Sequence, residues 1–251
     1  MLNNPTIEKL QSMKFTGMLK GYQEQRDDPD CQSLSFDERF GLLVDREAIE
    51  RDSRRMQSRL RKAKLRLGAA LEDIDYRHPR RLDKRLIMSL ASGDWIRQHH
   101  NLILTGPTGA GKTYIACALG HKACREGYTT LYHRAPRLFH DIALSKGDGR
   151  YPRLMNALAK TDLLILDDWG TALLTDEQRR DLFELVEDRY ERRSTLIAAQ
   201  LPLDAWHDNI GDPTLADAIL DRLVHNAHKI TLKGDSMRKK KSTLTQTKAG
   251  G

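Results

Sequence analysis

The run Gly106-Pro107-Thr108-Gly109-Ala110-Gly111-Lys112-Thr113 constrains this 251-residue chain more than any other stretch. It fits G-x-x-x-x-G-K-[ST] at every position, between an apolar segment that reads as a strand, Asn101 to Thr105, and a helical segment from Lys112 to about Arg125. Backbone N–H groups can wrap a phosphate chain only where no side chain blocks the approach, and the glycines leave that approach open. The following helix adds its positive N-terminal end and its free N–H donors. In such a loop Lys112 reaches the β and γ phosphates, the Thr113 hydroxyl coordinates magnesium, and Tyr114 completes the phosphate-binding segment. The expected ligands are ATP, ADP and Mg2+.

Further apolar runs alternate with helical stretches. Thr129 to His133, Leu163 to Leu166, Thr195 to Ala199 and Ile230 to Leu232 read as strands, and Asp176 to Tyr190 as a helix. That alternation predicts an α/β fold with a parallel sheet sandwiched by helices. Upstream, from Pro5 to Leu67, nothing reads as a strand. Ser35 with Glu38 forms a capping-box signature, Phe36, Phe40, Leu43 and Val44 recur at helical spacing, and Ile49, Met56, Leu60, Ala63 and Leu67 continue an apolar stripe. The expected organisation is a small all-α domain over 1–67 ending in a long basic helix, a linker from Gly68 to Pro79 that opens an ATPase domain over 68–233, and a basic tail over 234–251 without fixed structure.

Leu163-Leu164-Ile165-Leu166-Asp167-Asp168 is an apolar strand that stops at two carboxylates. Such a strand is expected beside the one that feeds the loop, so that its acids face the metal and the γ-phosphate. Asp167 then holds magnesium, mainly through water, and Asp168 polarises the attacking water as general base. The alternative for Asp168 is a helix N-cap.

A formal charge of +7 and a pI near 9.3 become informative through their distribution. Arg51, Arg54, Arg55, Arg59, Arg61, Lys62, Lys64 and Arg66 face a single acid within their own run, Asp52; a second group spans Arg77, Arg80, Arg81, Lys84 and Arg85, and a third runs from Arg238 to Lys241. Arg51, Arg54, Arg55, Arg59, Lys62 and Arg66 are the candidates for contact with a DNA backbone, which would be salt-sensitive and indifferent to base sequence. On charge alone, a solvated helix face is the commoner reading. Three cysteines without paired spacing suit a reduced intracellular protein, and no apolar run approaches the ~18 residues of a membrane span, so neither secretion nor insertion is expected. The histidines lack metal-ligand spacing, His99-His100 marks a turn before the first strand, and Tyr132, Tyr151, Trp169 and Trp206 read as core or pocket lining rather than base-stacking groups.

With the loop, the segment Leu163 to Gly170 and the string Gly211 to Leu223 together, nearly the whole chain resembles the AAA+ ATP-binding proteins of the IstB type. These are helpers encoded beside insertion-sequence transposases, and they are similar to helicase loaders of the DnaC type. The resemblance implies a homo-oligomer with ATP sites at subunit interfaces. It also implies assembly on duplex DNA with ATP bound, stimulation of the transposase encoded by the same element, and residence in the bacterial cytoplasm at the nucleoid. By position it makes Arg222 an arginine finger that reaches a neighbour's γ-phosphate, the alternative being a surface pair with Asp217 or Asp221. It places Gln200 at sensor 1, where many AAA+ proteins carry Asn, Thr or Ser, and leaves Arg238 between a second sensor and tail charge. The stretch after the fifth strand is too short for a helical lid or a C-terminal helix-turn-helix, so sequence-specific readout is not expected. The rivals are a helicase loader of the DnaC type and a small-molecule P-loop kinase, the second disfavoured by the acidic pair, the Arg222 context and the basic domain.

Overall fold

A computed structural model describes residues 5–234 and Met237; Arg238 and the rest of the third basic group lie outside them. The elements run in order α1 (Pro5–Ser12), α2 (Thr16–Asp27), α3 (Phe36–Ala63), α4 (Lys84–Leu90), α5 (Asp94–Arg97), β1 (Asn101–Thr105), α6 (Lys112–Arg125), β2 (Thr130–Arg134), α7 (Ala135–Gly147), α8 (Tyr151–Lys160), β3 (Leu163–Trp169), α9 (Asp176–Arg189), β4 (Ser194–Ala199), α10 (Trp206–Ile210), α11 (Pro213–Val224) and β5 (Ala227–Thr231). The chain forms two compact units, 1–58 and 59–251, and the division falls within α3.

In the first unit α2 crosses α3 at Gly17, where a Cβ would lie 2.5 Å from the Arg46 carbonyl oxygen. Glu47 is buried at that crossing and accepts from the Gly17 and Met18 N–H groups at 2.7 and 3.1 Å, so an α3 carboxylate satisfies the free donors at the start of α2. The capping box read at Ser35 is formed: the Glu38 carboxylate accepts from the Ser35 N–H at 2.8 Å, and the Ser35 hydroxyl accepts from the Glu38 N–H at 3.3 Å.

The second unit is built on a five-stranded parallel sheet in the order β2-β3-β4-β1-β5. Period-2 alternation divides its apolar residues between two cores. Leu102, Leu104, Leu163, Ile165, Leu196 and Ala198 face one, with α6 and Trp95 of α5. Ile103, Leu164, Leu166, Ile197 and Ala199 face the other, with α7, α8, α9 and α11. A sheet covered on both sides explains why its strands read as continuous apolar runs. The stretch expected to be a linker is packed against the first core through Ala69, Leu71 and Ile74.

One placement differs from expectation. The acidic strand β3 does not lie beside β1; β4 is inserted between them. The acids still reach the loop because β3 carries a bulge: Leu166 pairs with Ile197 and Trp169 with Ala199, leaving Asp167 and Asp168 opposite the single residue Ala198. Asp168 takes the left-handed conformation there, with φ 56°, which a residue other than glycine adopts at a cost of roughly 1–2 kcal/mol. Asp168 is thus part of a strand bulge and does not cap a helix. The inserted strand is the sheet's centre, so Ile197→Ala, at a site 1% exposed, is expected to cost about 2–5 kcal/mol in urea-monitored unfolding.

Candidate functional site

The loop between β1 and α6 sits at the carboxyl edge of the sheet, over a cavity of about 350 Å³ lined by Thr108, Gly109, Gly111, Lys112, Thr113, Tyr114, Asp167, Asp168, Gln200 and Arg80, among others. Gly106, Gly109 and Gly111 all have positive φ, at 145°, 83° and 96°. At Gly106 a Cβ would also meet the Leu232 carbonyl oxygen at 2.5 Å, and at Gly111 it would collide with the Arg80 guanidinium. The Pro107 carbonyl accepts from the Ala110 N–H at 3.3 Å, which closes the turn, and Lys112 bends back to donate to the Gly106 and Pro107 carbonyls at 2.6 and 2.9 Å. A lysine held this way stands at the concave side of the loop, where an anion's oxygens would replace those carbonyls.

Across the cavity the Thr113 hydroxyl donates to Asp167 Oδ2 at 2.8 Å. The same oxygen accepts from the Tyr132 hydroxyl at 2.7 Å, and Asp167 Oδ1 accepts from the Asp168 N–H at 2.9 Å, so both oxygens of this carboxylate, 1% exposed, have partners. Burial, then the hydrogen bond and charge of Asp167, push the Tyr132 phenol far above its ordinary value and keep it a proton donor. A hydroxyl and a carboxylate in contact at a phosphate-binding loop are the hard oxygen donors that Mg2+ takes when nucleotide phosphates and water complete its octahedron. The residues present therefore fit that ion.

Asp168 points to two guanidinium groups: Arg134 Nε lies 2.5 Å from its Oδ2 and Arg66 Nη1 3.6 Å. Gln200, just past β4, accepts from the Thr108 hydroxyl at 2.7 Å. Lys112, Thr113, Asp167, Asp168 and Gln200 thus converge on one cavity. Arg222 does not join them. The Asn101 side chain donates to its carbonyl at 3.2 Å, which places it at the opposite end of β1 from the loop, roughly 13 Å of strand away. Its guanidinium pairs with Glu187, rather than Asp217 or Asp221, and lies over the Phe183 and Tyr190 rings at 5.3 and 5.8 Å.

The basic run is more engaged than its composition indicates. Arg51 pairs with Glu47 at 2.7 Å, Arg54 with Glu47 and Glu50 at 3.6 and 3.8 Å, and Arg55 with Asp52 at 3.4 Å. Two of these acids, Glu47 and Glu50, lie in the helical turn just before the basic run, so a count within the run passes over them. Arg59 donates to the Cys124 carbonyl at 2.8 Å near the end of α6, and Lys62 is exposed.

Sequence reasoning missed three groups. Tyr132 reads as an ordinary strand aromatic, and only the pairing of β2 with β3 brings its hydroxyl to Asp167. Arg134 carries no signal beyond its place at the end of β2. Arg80, read as part of a basic group, is 1% exposed and braces the loop beside the cavity. It donates to the Ala110 and Asp75 carbonyls at 3.2 and 2.9 Å and contacts Met237 Sδ at 2.9 Å, and the Met237 N–H in turn donates to the Gly109 carbonyl at 2.9 Å. Burial holds its guanidinium below the usual arginine value.

Comparison with known proteins bears on this geometry. The family described as IstB-like ATP binding protein matches residues 8–245. The chain belongs to this family. An insertion sequence ATP-binding protein of Sinorhizobium fredii is 54% identical over 239 residues, covering 95% of this chain and 98% of that protein. The ATP-binding protein of insertion sequence IS1162 from Pseudomonas fluorescens is 52% identical, covering 80% and 88%. Among solved structures, DnaI covers 66% of this chain and 91% of its own at a TM-score of 0.57 and 20% identity, and the DnaC helicase loader covers 68% and 100% at 0.55 and 19%. At those identities the likeness shows the fold alone. Among the described residues no helix is long and apolar enough to cross a membrane.

The support of the loop is open to test. Arg80→Met removes the donor from the buried Ala110 carbonyl and the part-buried Asp75 carbonyl and should cost about 1–3 kcal/mol for the buried one left unpaired, read as a lowered urea midpoint.

Proposed function

We propose that this chain is a magnesium-dependent ATPase that assembles on duplex DNA with ATP bound and assists the transposase of its insertion sequence. The observation that carries the reading is the contact of Thr113 with Asp167 at the mouth of the loop cavity, with Asp168 on the adjoining bulge. In this reading the loop N–H groups and Lys112 bind the phosphates, Lys112 exchanging its loop carbonyls for phosphate oxygens. Thr113 and Asp167 hold Mg2+, which when bound neutralises charge on the β and γ phosphates. Asp168 accepts the proton of the attacking water, whose oxygen bonds to the γ-phosphorus as the bond to the bridging oxygen breaks, and ADP leaves with that electron pair. Gln200, tied to Thr108, orients the water or the γ-phosphate.

Arg222, on α11 at the end of β1 opposite the loop, lies too far off to serve its own cavity, which supports action on a neighbouring subunit's nucleotide. ATP would then join two subunits, and loss of the γ-phosphate would loosen them. Arg51, Arg54, Arg55, Arg59, Lys62 and Arg66 offer the charge for a phosphate backbone. Between the transposition role and a helicase loader, identity favours the first: 54% over 95% of the chain to an insertion-sequence protein, against 19% over 68% to the DnaC loader.

Two results are expected. Lys112→Ala abolishes tight ATP binding by calorimetry, while Asp168→Asn binds ATP and reduces turnover at least about 100-fold; normal turnover in Asp168→Asn removes it as the base. Arg222→Ala binds ATP normally but turns over poorly, and mixing it with Lys112→Ala restores part of the activity, because one subunit supplies the site and the other the finger. Failure of the mixture to exceed its parts contradicts action between subunits.

A further inference from the structure

The lone pairs of Asp167 are unequally occupied. Tyr132 pairs with Ile165 across β2 and β3, and Asp167 follows Ile165 by two residues on the same face, a diagonal that an aromatic side chain spans. The phenol donates to Oδ2 at 2.7 Å from a position only 7% exposed. Arg66 hydrogen-bonds the same phenol, and a guanidinium can only donate, so the phenol's single proton is directed to Asp167. The Thr113 hydroxyl donates to that oxygen as well, at 2.8 Å. A carboxylate oxygen has two lone pairs, and both of those on Oδ2 are occupied. Oδ1 is turned to the bulge, where it accepts from the Asp168 N–H. A hydroxyl that gives its proton keeps its own lone pairs, so Thr113 stays open to a cation where Oδ2 does not.

We infer that the Tyr132 hydroxyl sets which cation the site accepts: it closes Asp167 Oδ2 to direct coordination and so favours Mg2+ over Ca2+. This rests on the reading of Thr113 and Asp167 as the residues that hold the metal. A cation held by Thr113 stands on the Oδ2 side of the carboxylate, because Oδ2 is the oxygen that the Thr113 hydroxyl touches. With its lone pairs taken, Oδ2 meets that cation only through water. Mg2+ dehydrates reluctantly and keeps several waters beside nucleotide phosphates, so a carboxylate reached through water costs it little. Ca2+ takes about six to eight oxygens, carboxylates in direct contact among them, and at this site it lacks a ligand of the kind it favours. Tyr132 is thus a positioning residue, acting on the cation through Asp167, and the preference is a difference of two affinities.

Calorimetric titration of ATP with excess Mg2+, with excess Ca2+ and with a chelator, on wild type and on Tyr132→Phe, reads the preference without turnover. Phenylalanine keeps the ring in the core and removes only the hydroxyl. The ratio of ATP affinity in Mg2+ to that in Ca2+ should fall at least about threefold in Tyr132→Phe, chiefly because binding in Ca2+ tightens. The affinity with chelator should stay at the wild-type value, which monitors the fold. A merely structural role would weaken ATP binding in all three solutions alike. A second reading uses Mn2+ as the probe, in protein labelled with the magnetic carbon isotope at its aspartate carboxyls. Electron–nuclear double resonance of the Mn2+ and ATP complex should show no directly bound carboxylate in wild type and one in Tyr132→Phe. An unchanged ratio, an equal loss in both metals, or a directly bound carboxylate in wild type overturns the proposal. Wild-type ATP binding that is indifferent to either metal overturns the reading of Thr113 and Asp167 as metal holders, and the proposal with it.

Discussion

The hydrogen bond between the Thr113 hydroxyl and the Asp167 carboxylate joins the first turn of α6 to the bulge of β3, and the rest of the site depends on it. These two groups come from opposite sides of an inserted strand, so they meet only if the sheet is ordered β3-β4-β1 and the bulge carries the acid forward. Each end is held. The loop is held by Arg80 through the Ala110 carbonyl, and Asp167 by the Tyr132 hydroxyl and the Asp168 N–H. The result is a preorganised pair of oxygen donors at the entrance of an anion-binding loop, which is costly to bury unless every lone pair has a partner.

The neighbouring carboxylate is arranged differently. Asp167 is enclosed and satisfied by neutral donors, whereas Asp168 is partly exposed and faced by arginines from two segments. Two adjacent acids thus stand in different surroundings, which is the condition under which neighbouring carboxylates can take different roles. Arg222 sits at the far end of the sheet, its guanidinium paired with Glu187 and lying over the Phe183 and Tyr190 rings.

Much of this was legible in the sequence because local chemistry dictates it. The glycines of the loop are required by positive φ and by close approach of Leu232 and Arg80, and the apolar runs become strands because the sheet is covered on both faces. Ser35 and Glu38 cap α3 through contacts three residues apart, which a sequence displays directly. What escaped reading is non-local. The insertion of β4 between β1 and β3 leaves no trace in either strand's composition, and Tyr132 and Arg134 acquire their partners only through the register of β2 against β3. Arg80 looked like surface charge because nothing in the run Arg77 to Arg85 distinguishes the one guanidinium that folds inward. The pairing of Glu47 and Glu50 with Arg51 and Arg54 is likewise invisible to a count taken within the basic run, because both acids lie just before it.

If one cavity takes a nucleotide triphosphate together with a metal held by Thr113 and Asp167, calorimetric titration of ATP into the wild-type chain, once with excess Mg2+ and once with a chelator, reveals it most directly. One ATP per chain, with affinity at least about tenfold higher when the metal is present, is the predicted result. No nucleotide uptake, or uptake indifferent to the metal, would contradict it.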